Sequence, residues 1–169
     1  MAIIMVDSHV LTWAIKEKSS AGQEHKIKHA QFLLHDLDQK GHQVVISTIV
    51  VSELLRDVEI DKQLELYDII QKHFLILPFC NRSALECARI TKLHDEAFKK
   101  EDLKDKHSNS AVKADWMILA TALVYNVNTL FSEDRPLQNM VSISNAKINI
   151  EPIPEPIQED LFDPFFNTN

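Results

Sequence analysis

At 169 residues, with 45% hydrophobic and 25% charged side chains and a formal net charge of −7, the chain has the make-up of a single soluble globular domain. Its apolar content and dispersed charge argue against wholesale disorder, and only 2 glycines exclude collagen-like repeats and Gly-rich phosphate loops, whose backbones need φ > 0 at several positions. The longest apolar runs, 2–6 and 116–120, fall far short of the ~20 residues that span a bilayer, and Asp7 and His9 interrupt the start too early for a secretory leader, so the chain reads as cytoplasmic with no membrane partner.

Residues 2–6 form a short continuous apolar run ending at Asp7, the pattern of a strand buried on both faces of a parallel sheet. A helix is expected over 10–18, broken by Ser19-Ser20-Ala21-Gly22, and a polar helix over 24–40, stopped at Gly41. Residues 44–47 read as a second strand, with Thr48 beginning a helix that carries Glu53 and Leu54. A helix over 61–72, a strand over 74–77 closed by Pro78, and a helix over 82–93 continue the alternation. Cys80 and Cys87, at the opening of that last helix, read as two reduced thiols.

Residues 94–112 mix acids and lysines with little apolar content, as in a solvated helix and loop or an inserted flap. An apolar helix over 113–126 follows, with Asn126 as its left-handed C-cap, then a strand over 129–132 and an edge strand over 147–150. The expected architecture is an α/β three-layer fold, a mostly parallel central sheet flanked by helices, because parallel neighbours need crossover helices. It occupies 1–150, and 151–169 form a Pro-rich acidic tail whose apolar residues, Ile153 to Phe166, are suited to docking on this body or on a partner. His25 and His29 have a metal-ligand spacing but lie in a polar stretch and read as a solvated pair.

In an open parallel sheet, ligands bind beyond the carboxyl ends of the strands. Four acids fall there: Asp7 after the first strand, Glu53 early in the helix after the second, Asp115 at the opening of the apolar helix and Asp134 after the fourth strand. Each has an ordinary explanation as a helix cap or first-turn acid, and Glu53 also has Arg56 within an i,i+3 contact. Asp115 is harder to explain that way, since it shares a helix face with Ile118, Leu119 and Ala122. Carboxylates brought together resist ionisation unless a cation such as Mg²⁺ or Mn²⁺ neutralises them, and an acidic chain of pI 5.6 can meet an anion through such an ion. The absence of an acid two residues after Asp7 weighs against haloacid-dehalogenase-like phosphatases. A phosphoacceptor receiver domain ranks last, for want of an acid pair at the first strand and of an Asp ending the third.

Three blocks carry a resemblance to the PIN-domain nucleases, and particularly to VapC-type toxin ribonucleases. IIMVDSHVLTWAI resembles the family's strand, Asp, small hydroxyl residue, His or Asn, and apolar helix; VISTIVVSELL resembles its Glu-bearing helix; KADWMILATALVYNVNTLFSEDRPL resembles its closing block. The resemblance covers about residues 2–140 and implies that Asp7, Glu53, Asp115 and Asp134 bind Mg²⁺ or Mn²⁺, with Ser8 and Ser132 supporting them and Glu133 as an additional acid. It implies hydrolysis of RNA phosphodiester bonds by metal-activated water. Arg135, Lys113 and the lysines of 99–106 are the candidates for phosphate contact. Implied partners are RNA, a cognate antitoxin or other protein inhibitor, and a second copy in a homodimer. The alternative is a PIN-like binding or assembly module that recruits a partner through its tail.

Overall fold

The computed structural model describes residues 1–100, 110–134, 137, 140, 141 and 147–156, with 97–100 and 110–112 described by their backbone alone. The chain runs β1 (Ile3–Val6), α1 (Ser8–Ala14), α2 (His25–Gln39), β2 (Gln43–Ser47), α3 (Thr48–Arg56), α4 (Ile60–His73), β3 (Leu75–Leu77), α5 (Asn81–Lys100), α6 (Ser110–Val124), β4 (Thr129–Phe131) and β5 (Asn149–Glu151). All strand pairings are parallel, in the order β3-β2-β1-β4-β5. Consecutive strand residues point to opposite faces, and Ile4, Met5 and Val6 are all buried, so both faces of β1 are covered. The expected three-layer α/β architecture is the observed one.

The order β3-β2-β1-β4-β5 contains one reversal. From β1 the chain winds outward through β2 to β3, then α5 and α6 carry it back to place β4 on the other side of β1. The loops leaving β1 and β4 therefore diverge and open a crevice at the carboxyl edge between them, the switch point at which open α/β sheets bind ligands. Beneath it lies the core, with Met5, Val6, Val45, Ile46, Leu119 and Leu130 fully buried.

Side chains set several element ends. Ser47, not Thr48, caps α3, its Oγ accepting from the Ile49 N–H at 2.9 Å. Thr48 instead accepts from the Phe79 N–H at 3.0 Å and holds the exit of β3 beside the start of α3. Gly41 follows α2 at φ +66° and Asn126 follows α6 at φ +54°, both in the left-handed region expected for helix stops. Asn126 has a nearby counterpart in Asn128, whose Oδ1 accepts from the Ile3 N–H at 2.8 Å and pins the start of β4 to β1.

Three expectations change. α1 starts at Ser8 and stops at Ala14, so the helix expected over 10–18 is earlier and shorter. α5 continues to Lys100, so part of the charged 94–112 segment is helix, and α6 already begins at Ser110; residues 101–109 lie outside the description. The sheet also runs past residue 150: β5 includes Glu151, and Ile153 beyond it is buried. The apolar tail residues from Ile157 onward lie outside the described residues. Among the described residues no helix is long and apolar enough to cross a membrane.

The left-handed position after α6 yields a direct test. Asn126→Ala should lower stability by about 1 kcal/mol, a fall in Tm of about 2–4 °C, because a β-carbon without a local hydrogen-bonding side chain is disfavoured there. Asn126→Gly should retain wild-type stability in the same thermal unfolding experiment.

Candidate functional site

β1 ends in a carboxylate because an acid there can cap a helix. Asp7, 6% exposed, accepts through Oδ1 from the N–H groups of His9 (2.9 Å) and Val10 (3.2 Å), satisfying two of the orphan donors of α1. Its Oδ2 accepts from the hydroxyl of Ser132, which leaves β4 and is fully buried. The Ser132 Oγ in turn accepts from the Asp134 N–H at 3.1 Å. The Asp7 N–H donates to the Phe131 carbonyl at 3.2 Å, so the exits of β1 and β4 are joined by backbone and side chain together.

Asp134 and Asp115 approach across this junction closely enough for each to act on the other's ionisation. Partial burial and the charges of Asp134, Glu53 and Asp7 push the Asp115 carboxyl up to about 7, with His9 opposing. Burial and Asp7 likewise raise Asp134. His9 sits with Nδ1 3.7 Å from Asp7 Oδ2, and this side-chain contact, with the charges of Asp7, Asp134 and Glu53, raises its pKa against a desolvation cost. The four predicted acids thus share one electrostatic field although they come from four separate segments.

Glu53 is half-buried on α3, and Arg56, its expected competitor, turns to Asp57 instead (3.4 Å). Lys16 braces the same helix, donating to the Leu54 carbonyl at 2.5 Å. Among the described residues no lysine or arginine forms an ion pair with Asp7, Glu53, Asp115 or Asp134. Hard carboxylate oxygens that repel one another suit a hard divalent cation, whose charge would offset both the burial and the repulsion that raise Asp115. The side chains are not drawn to coordinating spacing: no group of three potential ligands among the described residues could hold an ion as placed.

The remaining predicted residues divide. Ser132 reaches the acids, whereas Ser8 opens α1 half-buried without a hydroxyl contact to them among the described residues. Glu133 has both oxygens committed to other partners: Oε1 accepts from the Ile153 N–H at 2.9 Å and Oε2 faces Lys26 Nζ at 3.1 Å. It fastens the C-terminal strand and α2 to the exit of β4. Lys113 is exposed; Lys99 and Lys100 are described by backbone alone, and Lys104, Lys106 and Arg135 lie outside the description. His25 and His29 are not simply solvated, for His29 is half-buried, its Nδ1 is inaccessible and unpartnered among the described residues, and burial with the charges of His25 and Lys26 lowers its pKa. Trp13 and Trp116 are buried as packing residues. The sequence reading overlooked His9 as a contributor to the site, although its position two residues after Asp7 marked it.

A family model described as PIN domain matches residues 4–141. Solved structures with the same fold include VapBC2 from Rickettsia felis bound to a DNA fragment from their promoter (18% identity, 89% of this chain and 98% of that one, TM-score 0.55). VapBC-1 from nontypeable Haemophilus influenzae gives 12% identity, coverage of 89% and 97%, and a TM-score of 0.58. DNA-bound VapBC from Salmonella typhimurium gives 15%, 91% and 100%, and 0.57. No curated protein sequence matches.

A carboxyl raised in the folded state binds its proton more tightly there than in the unfolded chain, so its ionisation costs stability as pH rises. For Asp115 that cost is absent below its unfolded value near 3.8, grows between about 4 and 7, and is complete above 7. In chelator, Asp115→Asn should therefore exceed the wild type in stability at pH 7.5 by about 1–2 kcal/mol, after discounting for solvent screening of a part-exposed group. The two proteins should converge at pH 4 in urea titrations. Parallel pH profiles would show that Asp115 does not carry the repulsion.

Proposed function

The chain belongs to the PIN domain family, and from that membership and the acid pocket we propose that it is a Mg²⁺- or Mn²⁺-dependent endoribonuclease, the toxin half of a toxin–antitoxin pair. What supports this reading most is the mutual electrostatic influence of Asp7, Glu53, Asp115 and Asp134 at the carboxyl edge of the sheet, where burial and then the other three acids raise Asp115. These four residues would hold the cation. When bound, it supplies an activated water and stabilises charge developing on the leaving oxygen of a phosphodiester.

The protein's own residues divide the remaining work. Asp7 is immobilised by its cap bonds and by Ser132 and fixes where the pocket lies. Asp115, pushed up to about 7, would be the acid whose proton a bound cation displaces. Ser132 orients Asp7 through its hydroxyl and Asp134 through that residue's N–H. The fold shared with VapBC complexes supports a protein inhibitor as the regulating partner. Ile60 and Leu64, four apart on one face of α4 and both exposed, offer an apolar strip that supports a second copy as partner.

The test is cleavage of a mixed pool of structured RNAs by purified protein with Mg²⁺, Mn²⁺ or EDTA. Cutting should require the metal, and Asp115→Asn should reduce it by at least about a hundredfold. Mn²⁺ binding measured by calorimetry should weaken about tenfold or more in the same variant. Cutting that persists in EDTA, or in Asp115→Asn, would place the chemistry elsewhere. A chain that binds Mn²⁺ and cuts nothing would be a binding module.

A further inference from the structure

Next to the acid pocket, and sharing His9 and Asp134 with it, lies a groove of about 470 Å³, within the ~300–1,000 Å³ typical of ligand clefts. One wall is the connection between α1 and α2, which the sequence marks only as a helix break. That connection is held in shape. Glu17 (φ +50°) and Gly22 (φ +84°) turn it, the Gln23 N–H donates to the Ser20 carbonyl at 3.0 Å, and Glu17 accepts from Gln31 on α2 at 3.1 Å. The opposite wall is the exit of β4, where Glu133 is paired with Lys26 and Asp134 is shared with the acid pocket.

The chemistry of the lining is unlike that of the acid pocket. Thr12, Ser19, Ser20 and Gln23 present neutral donors and acceptors, and Lys18 is a cation at the rim. The side chain of His9 is 60% exposed and its ring leans on buried Trp13, centroid to centroid 5.8 Å, so the groove offers an open ring face backed by a fixed one. Trp13 itself is covered, which leaves no apolar socket for a hydrophobic peptide anchor. Neutral hydrogen-bonding groups beside an aromatic face and one cation are what an unstacked nucleobase and its phosphate require.

We propose that this groove is a subsite for one nucleotide of the RNA strand adjacent to the scissile phosphate. In it the base lies against His9, Gln23 and its serine neighbours read the base edge, and Lys18 meets the adjoining phosphate. The proposal rests on the nuclease reading and adds to it the place where sequence preference arises. Gln23 is a specificity residue here and Lys18 a sequence-blind one, because an amide discriminates among base edges and an ammonium does not.

The experiment uses the full chain carrying Asp115→Asn, isotope-labelled, with Mg²⁺ and each of the four homotetraribonucleotides in turn. The Lys18, Ser20 and Gln23 amides and the Trp13 indole N–H should shift, with one base preferred about fivefold or more in affinity. Adding Gln23→Ala should erase the preference, whereas adding Lys18→Ala should weaken all four alike, about two- to threefold. Binding that shifts signals around Asp7 and Asp134 with residues 18–23 silent overturns the subsite and leaves the nuclease standing. In the active chain, Gln23→Ala should lower cleavage at sites with the preferred base about fivefold relative to other sites of a random RNA pool. Identical cleavage profiles overturn the subsite. If the active chain cuts no RNA and no oligonucleotide binds, the nuclease reading falls and the subsite with it.

Discussion

The bond between the Ser132 hydroxyl and the Asp7 carboxylate organises everything at the carboxyl edge of the sheet. Asp7 is nearly buried, and a buried ionised carboxylate is costly unless its lone pairs are filled. Here the start of α1 fills one oxygen and Ser132 the other, so the same contacts that offset desolvation also fix the separation of β1 and β4 and the direction in which α1 leaves. The direction of α1 places His9 beside the acids and Trp13 behind it. The constraint on β4 places Asp134 through its own N–H. A single carboxylate thus serves as helix cap, strand clamp and reference point for the pocket.

That arrangement creates an asymmetry among the four acids. Asp7 is surrounded by donors, whereas Asp115 emerges from the apolar α6 with no described donor of its own and faces three other acids. The cost falls most heavily on Asp115, pushed up to about 7 by burial and then by the other acids, with Asp134 raised beside it. Environments that separate the affinities of neighbouring carboxyls for protons are a mark of functional sites. They also show how a fold can tolerate such a site: the rigid acid is built into the core's hydrogen bonding, and the unsatisfied one sits where a cation or a proton can reach it.

Much of this was legible in the sequence because local chemistry and global position agree. The apolar run before Asp7, the β-branched run before Ser47 and the apolar α6 specify buried strands and a covered helix, and Gly41 and Asn126 end their helices as left-handed caps should. What was not legible depended on contacts between distant segments. Ser47 and Thr48 are both competent caps, and only the approach of Phe79 decides that Thr48 is used elsewhere. Glu133 looked like one more acid in an acidic loop until Ile153 and Lys26, 20 residues after and over 100 before, occupied its oxygens. Arg56 had two acids within reach and chose Asp57. The Ser19–Gly22 segment signals a break in any sequence reading, but nothing local says that it folds back to wall a groove.

Charge illustrates the same division between composition and placement. A net charge of −7 says the chain repels polyanions on average, yet averages hide which acids are already answered. Asp36, Glu59, Glu86 and Glu133 each pair with a lysine or arginine, and so contribute little field beyond their own neighbourhood. Among the described residues the acids at the switch point have no such partner. Counting acids would have led away from an anionic substrate; asking which of them are uncompensated leads to one pocket. The uncompensated charge is local and dense, and a proton held by Asp115 or a bound cation can answer it without filling the crevice with side chains. Either answer comes from outside the chain and draws no further side chain into the crevice between β1 and β4.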